Sequence, residues 1–169
     1  MKVILFHWGK IAGTAVLTLL LISFTTIYAQ NVDAQFAQLV ITQFPEQNVL
    51  AKYPLNDNDS FSLSFIHSVS YTRVVDVYEV RNGSVVQTSE IFETHGAGLP
   101  SNAEEPGGLS WEKTKDGFIL HMERQIPKLV VRTDSSYRNR LHLPSGEVNL
   151  NQWEDQALFL HVIPTPQNQ

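Results

Sequence analysis

Apolar and β-branched residues recur in short runs along the chain after residue 35, and each run ends in turn-forming residues. In the run 61–67 the period is two, because Phe61, Leu63, Phe65 and His67 alternate with polar residues and Ile66. No stretch after residue 35 keeps a helical period for three turns. The pattern predicts strands at 38–44, 49–53, 61–67, 72–81, 84–94, 109–113, 118–123, 129–132, 140–143, 148–150 and 157–163.

Two dipeptides predict hairpin turns between these runs. Asn82-Gly83 is the preferred pair for a two-residue turn in which both residues take a positive φ. Asp116-Gly117 gives a second such signal, and residues 151–156 suit one short helical turn. We therefore expect an all-β fold, an antiparallel β-sandwich or a partly closed barrel of roughly ten short strands.

The N-terminus predicts export from the cytoplasm. Lys2 and Lys10 precede the uncharged run Ile11–Ala29, which is long for a signal peptide core and just long enough to span a bilayer. Cleavage-type endings occur at Ala29 and Ala34. Residues 1–34 are thus a hydrophobic helix that acts as a signal peptide or as a membrane anchor. Either way, residues 35–169 form one extracytoplasmic domain, in the periplasm or on the outer face of the cytoplasmic membrane.

The composition of the chain excludes several kinds of site and partner for this domain. The chain has no cysteine, which excludes disulfides, thiolate catalysis and cysteine-based zinc sites. Its net charge of −5, with no cluster of basic residues, argues against nucleic acid as a partner. No cofactor is expected.

The predicted hairpin suggests which polar residues face each other. If the Asn-Gly turn sets the register, Asp76 faces Ser89. Aligning the apolar residues of the preceding strand then places Phe65 opposite Tyr78 and His67 opposite Asp76.

This register predicts a polar row of His67, Asp76 and Ser89 that continues towards Glu93 and His95. A carboxylate beside an imidazole would suit a general base or a metal ligand. The same pair could instead hold the strands in register through a hydrogen bond, and we favour this structural interpretation.

Catalytic motifs are missing from the sequence. Ser68 and His67 are neighbours on a strand and point to opposite faces, so His67 cannot activate Ser68 while the strand is regular. No nucleophile elbow and no paired-histidine motif occur. We therefore assign no catalytic residue and no metal ligand.

The glycine-rich segment Gly96–Pro100 is the second candidate feature. Gly96 and Gly98 flank Ala97, so the backbone can take a positive φ and its N–H groups could bind an anion. The segment lacks the lysine and helix start of a phosphate loop. The alternative, which we favour, is a tight corner between sheets, closed by Pro100.

The order of three segments, Phe61–Val69 (FSLSFIHSV), Val74–Gly83 (VVDVYEVRNG) and Gly96–Pro100 (GAGLP), resembles a family of small exported bacterial proteins of unknown function. Its members are often encoded beside, or fused to, TAXI-type TRAP transporters. The resemblance covers residues 36–163. The family pattern has Pro where this chain has Arg73, and Glu where it has Asp76.

The resemblance implies a β-rich envelope domain linked to solute uptake, without catalytic activity. It also implies that the residues most important for the function or the fold of the family are His67, Ser68, Asp76, Gly96, Gly98 and Pro100. The leading hypothesis is a non-enzymatic accessory or binding module that contacts a TRAP-TAXI transporter or its solute-binding protein. The alternatives are a metal- or carboxylate-dependent envelope hydrolase using His67, Asp76, Glu93 and His95, and a purely structural envelope domain.

Overall fold

A computed structural model describes residues 36–96 and 98–164 of the chain. All of them belong to one compact unit. This part of the chain is all-β, with eleven strands and two short 3₁₀ turns, Ser135–Tyr137 and Leu150–Trp153. The strands are β1 (Phe36–Gln43), β2 (Val49–Asn56), β3 (Ser60–Ile66), β4 (Arg73–Arg81), β5 (Ser84–Phe92), β6 (Gly108–Thr114), β7 (Gly117–Gln125), β8 (Leu129–Arg132), β9 (Arg140–Leu143), β10 (Gly146–Asn149) and β11 (Ala157–Pro164).

The strands form two antiparallel sheets. One has four strands in the order β2-β1-β11-β8, and the other has seven in the order β10-β9-β3-β4-β5-β7-β6. Neither sheet closes on itself, so the architecture is sandwich-like, and the expected partly closed barrel is not observed. The prediction of an all-β antiparallel fold is confirmed.

The core lies where the two sheets face each other. Leu39 and Leu160 from the four-stranded sheet belong to the same buried cluster as Leu63, Tyr78 and Leu141 from the seven-stranded sheet. Tyr78, Leu141 and Leu160 alternate with more exposed neighbours along their strands, as a sheet with one buried face requires. Leu39 and Leu63 are each followed by a second buried residue. Burying each such leucine contributes about 1.5–3 kcal/mol of transfer free energy, so the alternation seen in the sequence selects this packing.

Both hairpin predictions are confirmed. Asn82 and Gly83 have φ values of 51° and 71°, and Val80 pairs with Val85 across the turn. The turn before Gly117 joins β6 to β7 in the same antiparallel way. The sequence therefore predicted where the seven-stranded sheet reverses direction.

The register of β3 against β4 differs from the predicted one by four residues. Phe61, and not Phe65, lies opposite Tyr78, and Leu63 lies opposite Asp76. His67 follows the last residue of β3, and its N–H donates to the carbonyl of Thr72 at 2.9 Å. This tight turn keeps the strands paired up to their ends, so the prediction that His67 faces Asp76 is wrong.

The second predicted pair, Asp76 opposite Ser89, is wrong because of a β-bulge. The register of β4 against β5 shifts between Val77 and Tyr78, so Asp76 faces Glu90, while Ser89 pairs with Val77. One extra residue in a strand moves every later side chain to the other face. Ser89 is therefore not part of a polar row with Asp76.

The predicted export segment, residues 11–29, lies outside the described residues. Between residues 36 and 164, leaving out 97, no helix has the length and apolar character needed to cross a bilayer.

Candidate functional site

The connection between β3 and β4 folds into a turn around the His67 side chain. The backbone N–H of Tyr71 donates to the His67 carbonyl at 2.9 Å, and that of Ser70 donates to His67 Nδ1 at 3.2 Å. A backbone N–H can only donate, so Nδ1 acts as the acceptor and the neutral ring carries its proton on Nε2. The imidazole is thus oriented by the turn that it helps to form.

The glycine segment packs against the other side of this ring. A Cβ placed on Gly98 would lie 3.4 Å from His67 Nε2, and Gly98 has a φ of +83°. The positive φ favours glycine, whereas a Cβ at 3.4 Å would make an ordinary van der Waals contact with the ring. The Leu99 N–H donates to the Gly96 carbonyl at 3.1 Å, which closes a short turn, and Pro100 is buried behind it. The structure therefore brings together the two sequence features singled out above, apart from Ala97, which lies outside the described residues. The expected corner between sheets is wrong, because β5 and β6 on either side of the segment belong to the same sheet.

Three hydroxyl groups connect the turn to the residues after β5. Ser70 Oγ lies 3.2 Å from His67 Nδ1 and 2.9 Å from Thr72 Oγ1, which in turn lies 2.9 Å from Thr94 Oγ1. Because Nδ1 is an acceptor, the direction of the whole chain is set: Thr94 donates to Thr72, Thr72 to Ser70, and Ser70 to the imidazole. This chain fixes the two loops relative to each other.

Thr72→Val tests that chain. Valine has nearly the same shape but no hydroxyl, so we expect the free energy of unfolding to fall by about 0.5–1.5 kcal/mol. The Ser70 amide should also exchange its hydrogen faster. Urea unfolding and hydrogen exchange measure both effects. Thr72→Ser keeps the hydroxyl and should behave like the wild type; equal losses in the two variants would contradict the assigned chain.

The tip of this turn exposes two large apolar side chains. Val69 is 60% exposed and Tyr71 is 76% exposed, next to the exposed Ser68. Tyr71 also has a φ of 55°, an uncommon conformation for a bulky residue. We name the surface formed by His67–Thr72, 93–96 and 98–100 the loop surface.

Glu93 and His95 belong to the loop surface but not to a metal site. Glu93 Oε2 lies 3.5 Å from the backbone N–H of Arg73, and the His95 ring stands edge-on to Phe118 with 5.8 Å between centroids. Within residues 36–96 and 98–164, no three His, Asp or Glu side chains lie close enough to hold a metal ion. The structure therefore does not assemble the grouping of His67, Asp76, Glu93 and His95 on which the hydrolase alternative depended.

Asp76 lies in a separate polar network on the inner face of the seven-stranded sheet. Its Oδ1 accepts from Gln87 Nε2 at 3.0 Å, and its Oδ2 accepts a long bond from the Tyr78 hydroxyl at 3.4 Å. Arg124 donates two hydrogen bonds to the amide oxygen of Gln87. Across the pair of β4 and β5, Asp76 faces Glu90, a residue of like charge.

Burial changes the acidity of this network. Desolvation raises the pKa of Asp76 to about 6, with the Tyr78 hydrogen bond and the Arg124 charge acting against it. Desolvation, together with the negative charge of Asp76, raises the pKa of Glu90 to about 7. The pKa of Tyr78 is also raised, first by burial and then by the charge of Asp76. Both carboxyl groups thus titrate close to neutral pH.

Sequence reasoning missed Tyr78, Gln87, Glu90 and Arg124 as partners of Asp76. Gln87 is 2% exposed, in a strand where apolar residues were expected to fill the inner face. The Asn82-Gly83 turn was the available signal, because a two-residue turn there places Gln87 opposite Tyr78, as observed. The bulge that brings Glu90 beside Asp76 left no such signal.

Comparison with known proteins gives one match. The family model "Domain of unknown function (DUF1850)" matches residues 61–150, which is just over half of the 169 residues. The match begins at Phe61 in β3 and ends at Leu150, after β10. It therefore contains the loop surface and the Asp76 network. Neither a curated protein nor a solved structure shows significant similarity to the chain.

Proposed function

This chain belongs to the DUF1850 family, and on that premise we propose that it is a non-enzymatic extracytoplasmic binding module that serves TRAP-type solute uptake. The loop surface would contact the transporter or its solute-binding protein. The observation that carries the proposal is the meeting of two loops around His67, with Val69 and Tyr71 exposed at their tip.

Exposed apolar side chains at a fixed position are typical of contact surfaces rather than of free loops. Exposure of a large apolar group to water is unfavourable, and aromatic residues contribute strongly to protein interfaces. The hydroxyl chain and the Gly98 contact hold the loop surface in place before a partner binds. A preformed surface loses less entropy on association, which supports a binding role.

The local chemistry of His67 favours binding over catalysis. Nδ1 already accepts hydrogen bonds from the N–H and the hydroxyl of Ser70, so the unprotonated nitrogen of the neutral ring is occupied. A general base needs a free nitrogen within hydrogen-bond reach of its substrate. The export segment expected at residues 11–29 and the resemblance to proteins encoded beside TRAP transporters support the proposed location and partner.

Co-purification tests this proposal. We expect a tagged full-length chain at its native level to recover subunits of a TRAP-type transporter, identified by mass spectrometry. Val69→Ser combined with Tyr71→Asn should reduce that recovery by about tenfold, because a contact centred on aromatic and apolar side chains depends on a few residues. Asparagine is chosen because it tolerates positive φ.

Leu109→Ser is the matched control, because Leu109 is a 68% exposed apolar residue on β6, away from the loop surface. It should leave recovery unchanged. Recovery of the wild-type chain without transport components, or equal recovery with the loop variant, would contradict the proposal. Circular dichroism of both variants confirms that the fold is intact.

A further inference from the structure

A cavity of about 230 Å³ lies between β8 of the four-stranded sheet and β3 and β4 of the seven-stranded sheet. Its wall is apolar where Leu63, Leu129 and Leu150 contribute to it, and polar where Asp76 contributes. The volume is below the roughly 300–1,000 Å³ of pockets that hold drug-sized ligands, so an occupant would be a small molecule. The cavity is separate from the loop surface and plays no part in the function proposed above.

Asp76 is a carboxylate without a direct ion pair, because the guanidinium of Arg124 in the same network donates to Gln87 instead. Among residues 36–96 and 98–164, no lysine, arginine or histidine makes an ion pair with it. Its hydrogen bonds come from the neutral groups of Tyr78 and Gln87. Carboxylates withdrawn from water are normally paired with a cation or neutralised. A ligand that carries an ammonium group would supply the missing charge from the cavity side.

Arg132 provides the opposite charge at the same cavity. It is exposed, it lines the cavity, and in the described part of the chain it makes neither an ion pair nor a side-chain hydrogen bond. The neighbouring Arg140 is already committed, since its guanidinium donates to Asn149 and Asn151 and pairs with Glu147. Arg132 is therefore the guanidinium available to a ligand carboxylate.

We propose that this cavity binds a small apolar amino acid, with its ammonium group on Asp76, its side chain against Leu63, Leu129 and Leu150, and its carboxylate at Arg132. The three kinds of lining surface match the three parts of such a molecule. A fatty acid would leave Asp76 without its cation, and a simple amine would leave Arg132 unused.

Calorimetric titration of the purified full-length chain tests the site. The probes are L-alanine, L-valine and L-leucine, with isocaproate as leucine without its ammonium group and isoamylamine as leucine without its carboxylate. We expect at least one amino acid to bind and both analogues to bind about tenfold more weakly or not at all. No binding of any of the three amino acids at millimolar concentration, or isocaproate binding as tightly as leucine, would overturn the proposal.

Variants locate the site. Asp76→Asn should weaken amino-acid binding by about tenfold or more, because the ligand ammonium would lose its counter-charge. Asp116→Asn is the control: Asp116 is 80% exposed in the turn before Gly117 and does not line the cavity, so binding should change by less than about threefold. Arg132→Gln should weaken leucine but not isoamylamine. Equal effects of Asp76→Asn and Asp116→Asn would overturn the assignment. The analogue series tests the proposal without any variant.

Discussion

Gly117→Ala is expected to lower the free energy of unfolding by about 3 kcal/mol or more. Gly117 has a φ of +146°, which side-chain-bearing residues rarely adopt. A Cβ at this position would also lie 2.3 Å from the carbonyl oxygen of Phe92 and 2.9 Å from the Cα of Glu93. Both are backbone atoms, so they can move aside only if the chain at Phe92 and Glu93, where the loop surface begins, is displaced. Urea unfolding of the full-length chain measures the change.

Gly146→Ala separates the collision from the backbone strain. Gly146 has a similar φ of +133°, but nothing lies within 4 Å of its would-be Cβ. We expect it to cost about 1–2 kcal/mol, which is the strain of the backbone conformation alone. Equal losses for the two variants would show that the close approach to Phe92 carries no energetic weight. If Gly117→Ala also reduces the recovery of transporter subunits, the hairpin of β6 and β7 is linked to binding at the loop surface.

The sequence allowed the strands and hairpins to be predicted because both depend on local signals. Alternation in 61–67 depends only on which face of a strand is buried, and Asn82-Gly83 depends only on two φ values. Each signal spans a few neighbouring residues, so no knowledge of distant contacts is needed. The number and spacing of the strands predicted an antiparallel sandwich or a partly closed barrel, and the structure shows two open sheets.

The register of β3 could not be predicted in the same way. The predicted and observed pairings differ by four residues, an even number, so every side chain of β3 keeps its face in both. The apolar pattern therefore fits both registers. The choice is made by the turn closed between His67 and Thr72, whose hydrogen bonds involve the imidazole and the backbone. The sequence HSVSYT contains no glycine or proline that would mark such a turn.

The sequence predicted only part of the candidate site. His67 and the glycine segment both follow strand ends, and the antiparallel order places those ends together, as the Gly98 contact confirms. Asp76 was linked to His67 through the register and was therefore misplaced. Its true neighbour Glu90 depends on a one-residue bulge between Val77 and Tyr78, which period-two analysis cannot locate.

The burial of Asp76 and Glu90 predicts an unusual dependence of stability on pH. The folded state raises the pKa of Asp76 from 3.8 to about 6, so between these values the folded chain holds a proton that the unfolded chain has lost. Stability is then fully present below about pH 4 and falls as pH rises through 6, which corresponds to about 3 kcal/mol for Asp76. The raised pKa of Glu90 acts in the same direction up to about 7, with a smaller effect because Glu90 is more exposed.

Asp76→Asn should therefore stabilise the protein by about 1–3 kcal/mol at pH 8 and have little effect at pH 4. Asparagine keeps the acceptor that Gln87 uses and removes the charge that faces Glu90. Asp116→Asn is the control, because Asp116 is 80% exposed and Asn-Gly preserves the hairpin turn. Urea unfolding at pH 4, 6 and 8 gives the comparison. If Asp76→Asn destabilises the protein at pH 8, the ionised carboxylate is compensated in the folded chain, and the view of Asp76 as a charge that awaits a cationic partner is wrong.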